Sequence, residues 1–218
     1  LYKDKVLIFI HIPKTAGAAL TNIICEQYDP HEVFSLSDPI LNRVNNVSEI
    51  SANTKCILGH NYYGQHTNLG PFFYVTMLRD PVERVISHYY YIKYVIKDNK
   101  FTDMYNLKEF AQLEEFKNLQ TRFITDNKLH LEQAIDNLKN FAFFGITEMF
   151  KESLLLMEKR LGWEGIQYKE LNKNEKKPKK ESISKETIKQ IEKANLLDIE
   201  LYQWARENFK SRLEEIEQ

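Results

Sequence analysis

Apolar residues along the chain fall into two rhythms. Four short runs carry few polar residues: 6–12 (VLIFIHI), 55–58 (KCIL), 72–78 (FFYVTML) and 141–146 (FAFFGI). Runs of this length, rich in β-branched and aromatic residues, read as strands buried on both faces of a parallel sheet. Elsewhere apolar positions recur every three or four residues, as on an amphipathic helix. That spacing predicts helices over 18–28, from Asp80 through the tyrosine-rich stretch after it, and over 107–124, 129–138, 148–161, 185–195 and 196–216. Asp80 fits an N-cap, Pro81 the first helical position and Glu83 the reciprocal capping-box position. Gly162 stops one helix and Ser184 caps another. Residues 29–54 read as loop, with one short helix over 39–44. Strands alternating with helices predict the α/β class, a mainly parallel sheet covered on both sides.

Composition narrows the picture. At 218 residues and 43% hydrophobic, the chain suits one domain, 1–218, with a substantial core. Thirty Lys and Arg against 31 Asp and Glu leave a net charge of −1, so no global field draws nucleic acid. A nucleotide or polyanion must be held by a local patch. Cys25 and Cys56 both lie in apolar segments and are expected as buried free thiols. No Cys/His spacing of the zinc-ligand type occurs. No apolar run approaches the roughly 18 residues of a membrane span. The opening LYKDKVLIF is too short for a secretion signal. Cytoplasm is the expected compartment, the alternative being a lumenal catalytic domain whose anchor precedes Leu1.

The first strand feeds the first helix through Pro13-Lys14-Thr15-Ala16-Gly17. A strand-to-helix turn presents backbone N–H groups and a helix dipole to one point, an arrangement that binds anions. Gly17 permits close approach and Lys14 adds a point charge. The turn lacks the G-x-x-x-x-G-K-[ST] spacing of a nucleoside triphosphate loop. An ordinary turn with an exposed lysine is the bland alternative. The second element, LRDPVERVISHYY, sets Arg79 at a strand end and Ser87 on the following helix.

Together HIPKTAG and LRDPVERVISHYY resemble the two cofactor-binding signatures of sulfotransferases that use 3′-phosphoadenosine 5′-phosphosulfate (PAPS). The likeness is to the heparan sulfate 2-O-sulfotransferase-like group and its bacterial relatives. It extends to ILGHNYYG (57–64), NLQTRFI (118–124), FAFFGITEMFKESLLLMEKRLGW (141–163) and NLLDIELYQWARENF (195–209), in the same order. The resemblance implies a three-layer α/β/α sandwich related to P-loop kinases. It further implies that Lys14, Thr15, Ala16, Gly17, Ala18 and Ala19 wrap the 5′-phosphosulfate, with Lys14 neutralising the bridging oxygen as the sulfonate departs. Arg79 and Ser87 then hold the 3′-phosphate. Many relatives have Ser or Thr just after the loop glycine, where this chain has Ala18 and Ala19.

His60 follows the strand CILG, so it should project from the carboxyl edge of the sheet, where open α/β sheets bind ligands. The resemblance makes it the base that deprotonates the acceptor. The other reading is a histidine bonded to loop backbone. His11, beside the anion loop, is expected to be structural or at the cofactor's edge. His88 is expected on the helix surface, and His31 and His130 as ordinary surface residues. Nothing lifts His66 above background. Arg122 fits a substrate contact or a structural ion pair equally, and Arg84 is expected in an ion pair. The lysine-rich KNEKKPKK offers Lys173 as a cofactor contact, since a basic loop in the family closes over the nucleotide. Tyr89, Tyr90, Tyr91 and Tyr94 are expected to be mostly core.

The resulting expectation is an enzyme that moves sulfonate from PAPS to a hydroxyl of a glycan or glycolipid, leaving adenosine 3′,5′-bisphosphate. No metal is needed, because lysine, arginine and amides supply the positive charge. The rivals are a P-loop kinase-like phosphoryl transferase and a non-catalytic nucleotide- or glycan-binding module.

Overall fold

Five parallel strands form one sheet in the order β2-β3-β1-β4-β5: β1 Val6–Ile10, β2 Val33–Leu36, β3 Cys56–Gly59, β4 Phe72–Leu78 and β5 Phe143–Ile146. The structure is a computed structural model describing residues 2, 4–36, 50–166 and 177–217. Nine α-helices lie within these residues: α1 Gly17–Cys25, α2 Pro81–Tyr91, α3 Asn99–Met104, α4 Leu107–Phe110, α5 Leu119–Ile124, α6 Leu131–Asn140, α7 Phe150–Leu161, α8 Lys185–Ala194 and α9 Leu196–Glu217. Central β1 is buried at every position, so helices cover both faces of the sheet, the three-layer α/β/α arrangement. Among the described residues, no helix is long and apolar enough to cross a membrane.

Several boundaries differ from the sequence reading, each for a local reason. Strand β2 escapes the pattern because it lies at the sheet edge, where only Val33 is buried. The continuous helix expected over 107–124 breaks into α4, a 3₁₀ turn at Glu114–Phe116 and α5. Leu113 is extended and Asn118 is left-handed at φ 45°, so the backbone cannot continue as helix there. Asp98 caps α3 by accepting from the Phe101 N–H at 3.0 Å. The short helix expected over 39–44 lies outside the described residues.

The capping box at Asp80 is half-formed. Asp80 Oδ1 accepts from the Glu83 N–H at 2.9 Å, but the Asp80 N–H donates to Glu148 Oε1 at 3.1 Å. The Glu83 carboxylate is thereby free to face Arg79. Ser184 and Gly162 cap their helices as expected. Cys25 and Cys56 are free thiols, and burial pushes the Cys25 thiol up to about 11.

Chain order places the chemistry. Strand β3 flanks β1 on one side and β4 on the other, so the chain crosses sides between them. The residues just beyond the carboxyl ends of β1, β3 and β4 therefore converge at a topological switch point. They are His11, His60 and Arg79.

Candidate active site

The loop between β1 and α1 is built around two left-handed residues, Lys14 at φ 71° and Ala16 at φ 62°. Non-glycine residues hold this conformation at a cost of about 1–3 kcal/mol each and persist only where neighbours enforce it. Here the Thr15 hydroxyl donates to the Ile12 carbonyl at 2.9 Å, and Arg79 Nη1 donates to the Lys14 carbonyl at 3.1 Å. The Ala16 carbonyl accepts from the N–H groups of Ala19 and Leu20. The Thr15 side chain, fully buried, thus serves the loop itself. Helix α1 starts with no side-chain cap and no acidic residue in its first turn. Its first amides, at Gly17 and Ala18, are suited to an external anion, while that of Ala19 already serves the Ala16 carbonyl.

Gly17 is required for a second reason. A Cβ added there would lie 1.9 Å from Cδ2 and Nε2 of His11. The His11 ring stacks between Phe9 at 5.5 Å and His60 at 4.7 Å. Burial, reinforced by His60 and Lys14, pulls the His11 pKa down to about 3, so this ring is neutral. It is a structural wall at the edge of the anion loop.

Arg79 joins the second signature to the first. Besides its bond to the Lys14 carbonyl, it pairs with Glu83 at 3.4 Å and Glu148 at 3.8 Å. Tyr202 donates to the other Glu148 oxygen at 2.8 Å. Glu83, Ser87 and Tyr91 stand four residues apart on α2 and share one face. The Lys14 ammonium lies 3.8 Å from the centre of the Tyr91 ring. Burial and the neighbouring Arg79 bring the Lys14 pKa down to about 8.

Lys173 lies outside the described residues. Sequence reasoning missed Lys177, from the same basic stretch, whose ammonium pairs with Glu83. Lys180 pairs with Asp80 at 3.7 Å. No local signal pointed to Lys177, because the capping-box motif assigns the Glu83 carboxylate to the Asp80 N–H, which Glu148 takes instead.

His60 Nδ1 lies 2.7 Å from the His11 backbone carbonyl. A carbonyl only accepts, so Nδ1 carries the proton and the neutral ring keeps its lone pair on Nε2. His60 is exposed, unlike His11. The structure thus shows the bond to loop backbone, in the tautomer that a base would also need.

Other expectations need correction. His88 is not a surface residue: its ring meets Phe110 and Phe116 edge-on at 5.7 and 5.1 Å. Burial, with Arg84, Lys14 and His60 adding to it, pulls its pKa down to about 3. The segment 107–116 folds back over α2, which helix periodicity alone does not reveal. Arg84 is fully buried and donates to the Phe116 carbonyl at 2.9 Å; no described carboxylate lies within ion-pair distance. Of the four tyrosines only Tyr89 is buried; Tyr90 and Tyr94 stack at 5.7 Å near the surface. Arg122 binds Asn127 at 2.7 Å and the Glu114 carbonyl at 2.5 Å, bracing the turn before α5. His66 is fixed by Asn61 at 3.0 Å, and His130 accepts the Gln133 N–H at the start of α6.

The sequence pattern of the sulfotransferase family matches residues 2–205. Heparan-sulfate 6-O-sulfotransferase 2 of Gallus gallus is 25% identical, over 99% of this chain and 69% of its own length. Heparan-sulfate 6-O-sulfotransferase 1 of Homo sapiens is 25% identical, over 96% of this chain and 66% of its own. These relatives are 6-O enzymes, where the motifs resemble the 2-O group; both are heparan-sulfate O-sulfotransferases. A solved mouse sulfotransferase, SULT7A1 complexed with PAP, aligns over 90% of this chain and 67% of its own, at 14% identity and a TM-score of 0.41. With the family match running from before β1 into α9, the chain belongs to the sulfotransferase family, whose sulfonate donor is PAPS.

Proposed function

We propose that this protein transfers sulfonate from PAPS to a hydroxyl of a carbohydrate, with His60 as base. The observation that supports the reading is the hydrogen bond from Arg79 to the Lys14 carbonyl, which brings the two signature segments together. The residues suit a donor with two separated anionic groups. The amides around Gly17 and the Lys14 ammonium suit the 5′-phosphosulfate, and the Arg79 fork with the Ser87 hydroxyl suits the 3′-phosphate. The donor supplies a sulfonate on a good leaving group.

The chain's own residues do the rest. His60 Nε2 accepts the proton of the acceptor hydroxyl as that oxygen bonds to sulfur. The Lys14 ammonium stabilises the charge left on the bridging oxygen as its bond to sulfur breaks, giving adenosine 3′,5′-bisphosphate. Positioning and charge stabilisation dominate such transfers, and a general base adds about 10²–10⁴-fold. A carbohydrate acceptor is supported by the heparan-sulfate relatives.

The test measures transfer of radiolabelled sulfonate from PAPS to a panel of heparan-type glycans. Wild type should label a glycan, and His60→Ala should lose about 10²–10⁴-fold in turnover while keeping its affinity for adenosine 3′,5′-bisphosphate. Full transfer by His60→Ala removes the base assignment. Absence of transfer together with magnesium-dependent turnover of ATP overturns the function.

A further inference from the structure

Lys14 sits in an unfavourable place for a cation. It is half-buried and lies beside Arg79, and among the described residues no carboxylate pairs with it. The groups around it are accounted for otherwise. His11 beyond β1 and His88 on α2 are neutral. His60 beyond β3 is engaged with the His11 carbonyl. Arg79 is paired with Glu83 and Glu148, and Glu83 also takes Lys177. What the ammonium does meet is the face of Tyr91, at 3.8 Å.

The placement of that ring is fixed by the fold. Tyr91 is the last residue of α2, four positions after Ser87 and eight after Glu83. Immediately after it the helix widens into a π turn, Ile92–Ile96, a feature that often marks functional sites. Buried Ile92 joins Val85, Ile86 and Tyr89 in the core and anchors that transition.

We propose that Tyr91 is the positioning residue of Lys14, its ring face holding the ammonium charged over the α2 surface that carries Ser87. This rests on the reading of Lys14 as the group that stabilises the leaving oxygen. An aromatic face attracts a cation without neutralising it. A carboxylate partner would cancel the charge that the leaving oxygen requires, and would have to be displaced by the donor. The ring keeps the charge whole.

The sign follows from the quadrupole. Attraction to the ring favours the protonated amine, so a residue that keeps apolar bulk but removes the ring face should lower the Lys14 pKa from about 8. Tyr91→Leu should lower it by roughly 0.5–1.5 units, and Tyr91→Phe should titrate as wild type. The readout is a side-chain NMR titration of isotope-labelled lysines in the donor-free full chain, with Lys14 assigned through Lys14→Arg. The alkaline limb of kcat/KM, which reports the donor-free enzyme, should move down with the pKa in Tyr91→Leu. Pentafluorophenylalanine at position 91 keeps the ring's shape and reverses its quadrupole, which guards against a folding defect in the leucine variant. It should lower the pKa at least as far.

An unchanged Lys14 titration in both Tyr91→Leu and the fluorinated protein overturns the proposal. Because the titration uses neither donor nor acceptor, the two readings separate. A shifted Lys14 in a protein that transfers no sulfonate keeps the coupling and removes the function. An unshifted Lys14 in an active enzyme does the reverse.

Discussion

Replacing Gly17 by alanine probes the closest packing at the site. The added methyl would lie 1.9 Å from two atoms of the His11 ring and 2.7 Å from a third. Restoring an ordinary contact of 3.4 Å requires the ring or α1 to retreat by about 1.5 Å. Neither has room: His11 is 8% exposed, stacked against Phe9 and His60, and α1 is seated by fully buried Leu20 and Ile24. Overpacking of this kind costs about 1–3 kcal/mol, which lowers Tm by roughly 2–4 °C per kcal/mol in a chain of this size. The displacement also passes to His60, whose Nδ1 is bonded to the His11 carbonyl. A shift of about 1 Å in a catalytic group costs on the order of 10²-fold in rate. The assay is urea denaturation together with steady-state sulfonate transfer. Gly17→Ala should lose both stability and turnover, and His11→Ala in the same chain should recover much of the stability by removing the obstructing ring. Wild-type denaturation midpoint and turnover in Gly17→Ala would refute the argument. So would additive losses in the double variant.

Other outcomes follow from the same geometry. Arg79→Ala should weaken adenosine 3′,5′-bisphosphate by about 1.5–3 kcal/mol more than adenosine 5′-phosphosulfate in isothermal titration, because the latter lacks the 3′-phosphate and loses only the support that Arg79 gives the Lys14 carbonyl. Equal losses would remove the 3′-phosphate role and leave Arg79 acting only through the Lys14 loop. His88 is held neutral with its pKa lowered from 6.5 to about 3, so the unfolded chain binds the extra proton in acid. Its contribution is therefore present above pH 6.5 and is lost as pH falls toward 3. Between pH 6.5 and 4.5 that loss is roughly 2.5 kcal/mol. His88→Phe should flatten the fall in urea-derived stability by about that amount, and an unchanged slope would count against a buried neutral ring.

What the sequence made legible was what local pattern encodes. The runs at 6–10, 56–59, 72–78 and 143–146 are unbroken because both faces of those strands are covered, and all four appear in the sheet. Ser184 and Gly162 act through their own backbones and were equally readable. Tertiary contact decided the rest. Strand β2 has one buried residue, so it left no run. His88 looks like a surface position until 110–116 packs on it. The loop after β1 showed its lysine and glycine, but not that His11 demands the glycine or that Tyr91 meets the lysine. Those facts depend on residues distant in the chain, whose side chains no spacing rule connects.

The central claim is a single pocket that grips both anionic ends of one adenosine donor. A crystal structure with adenosine 3′,5′-bisphosphate tests it directly. The account predicts the 5′-phosphate on the amides between Thr15 and Ala19 with Lys14 beside it, and the 3′-phosphate bonded to Arg79 and Ser87. Well-defined nucleotide whose phosphates touch neither segment would contradict it.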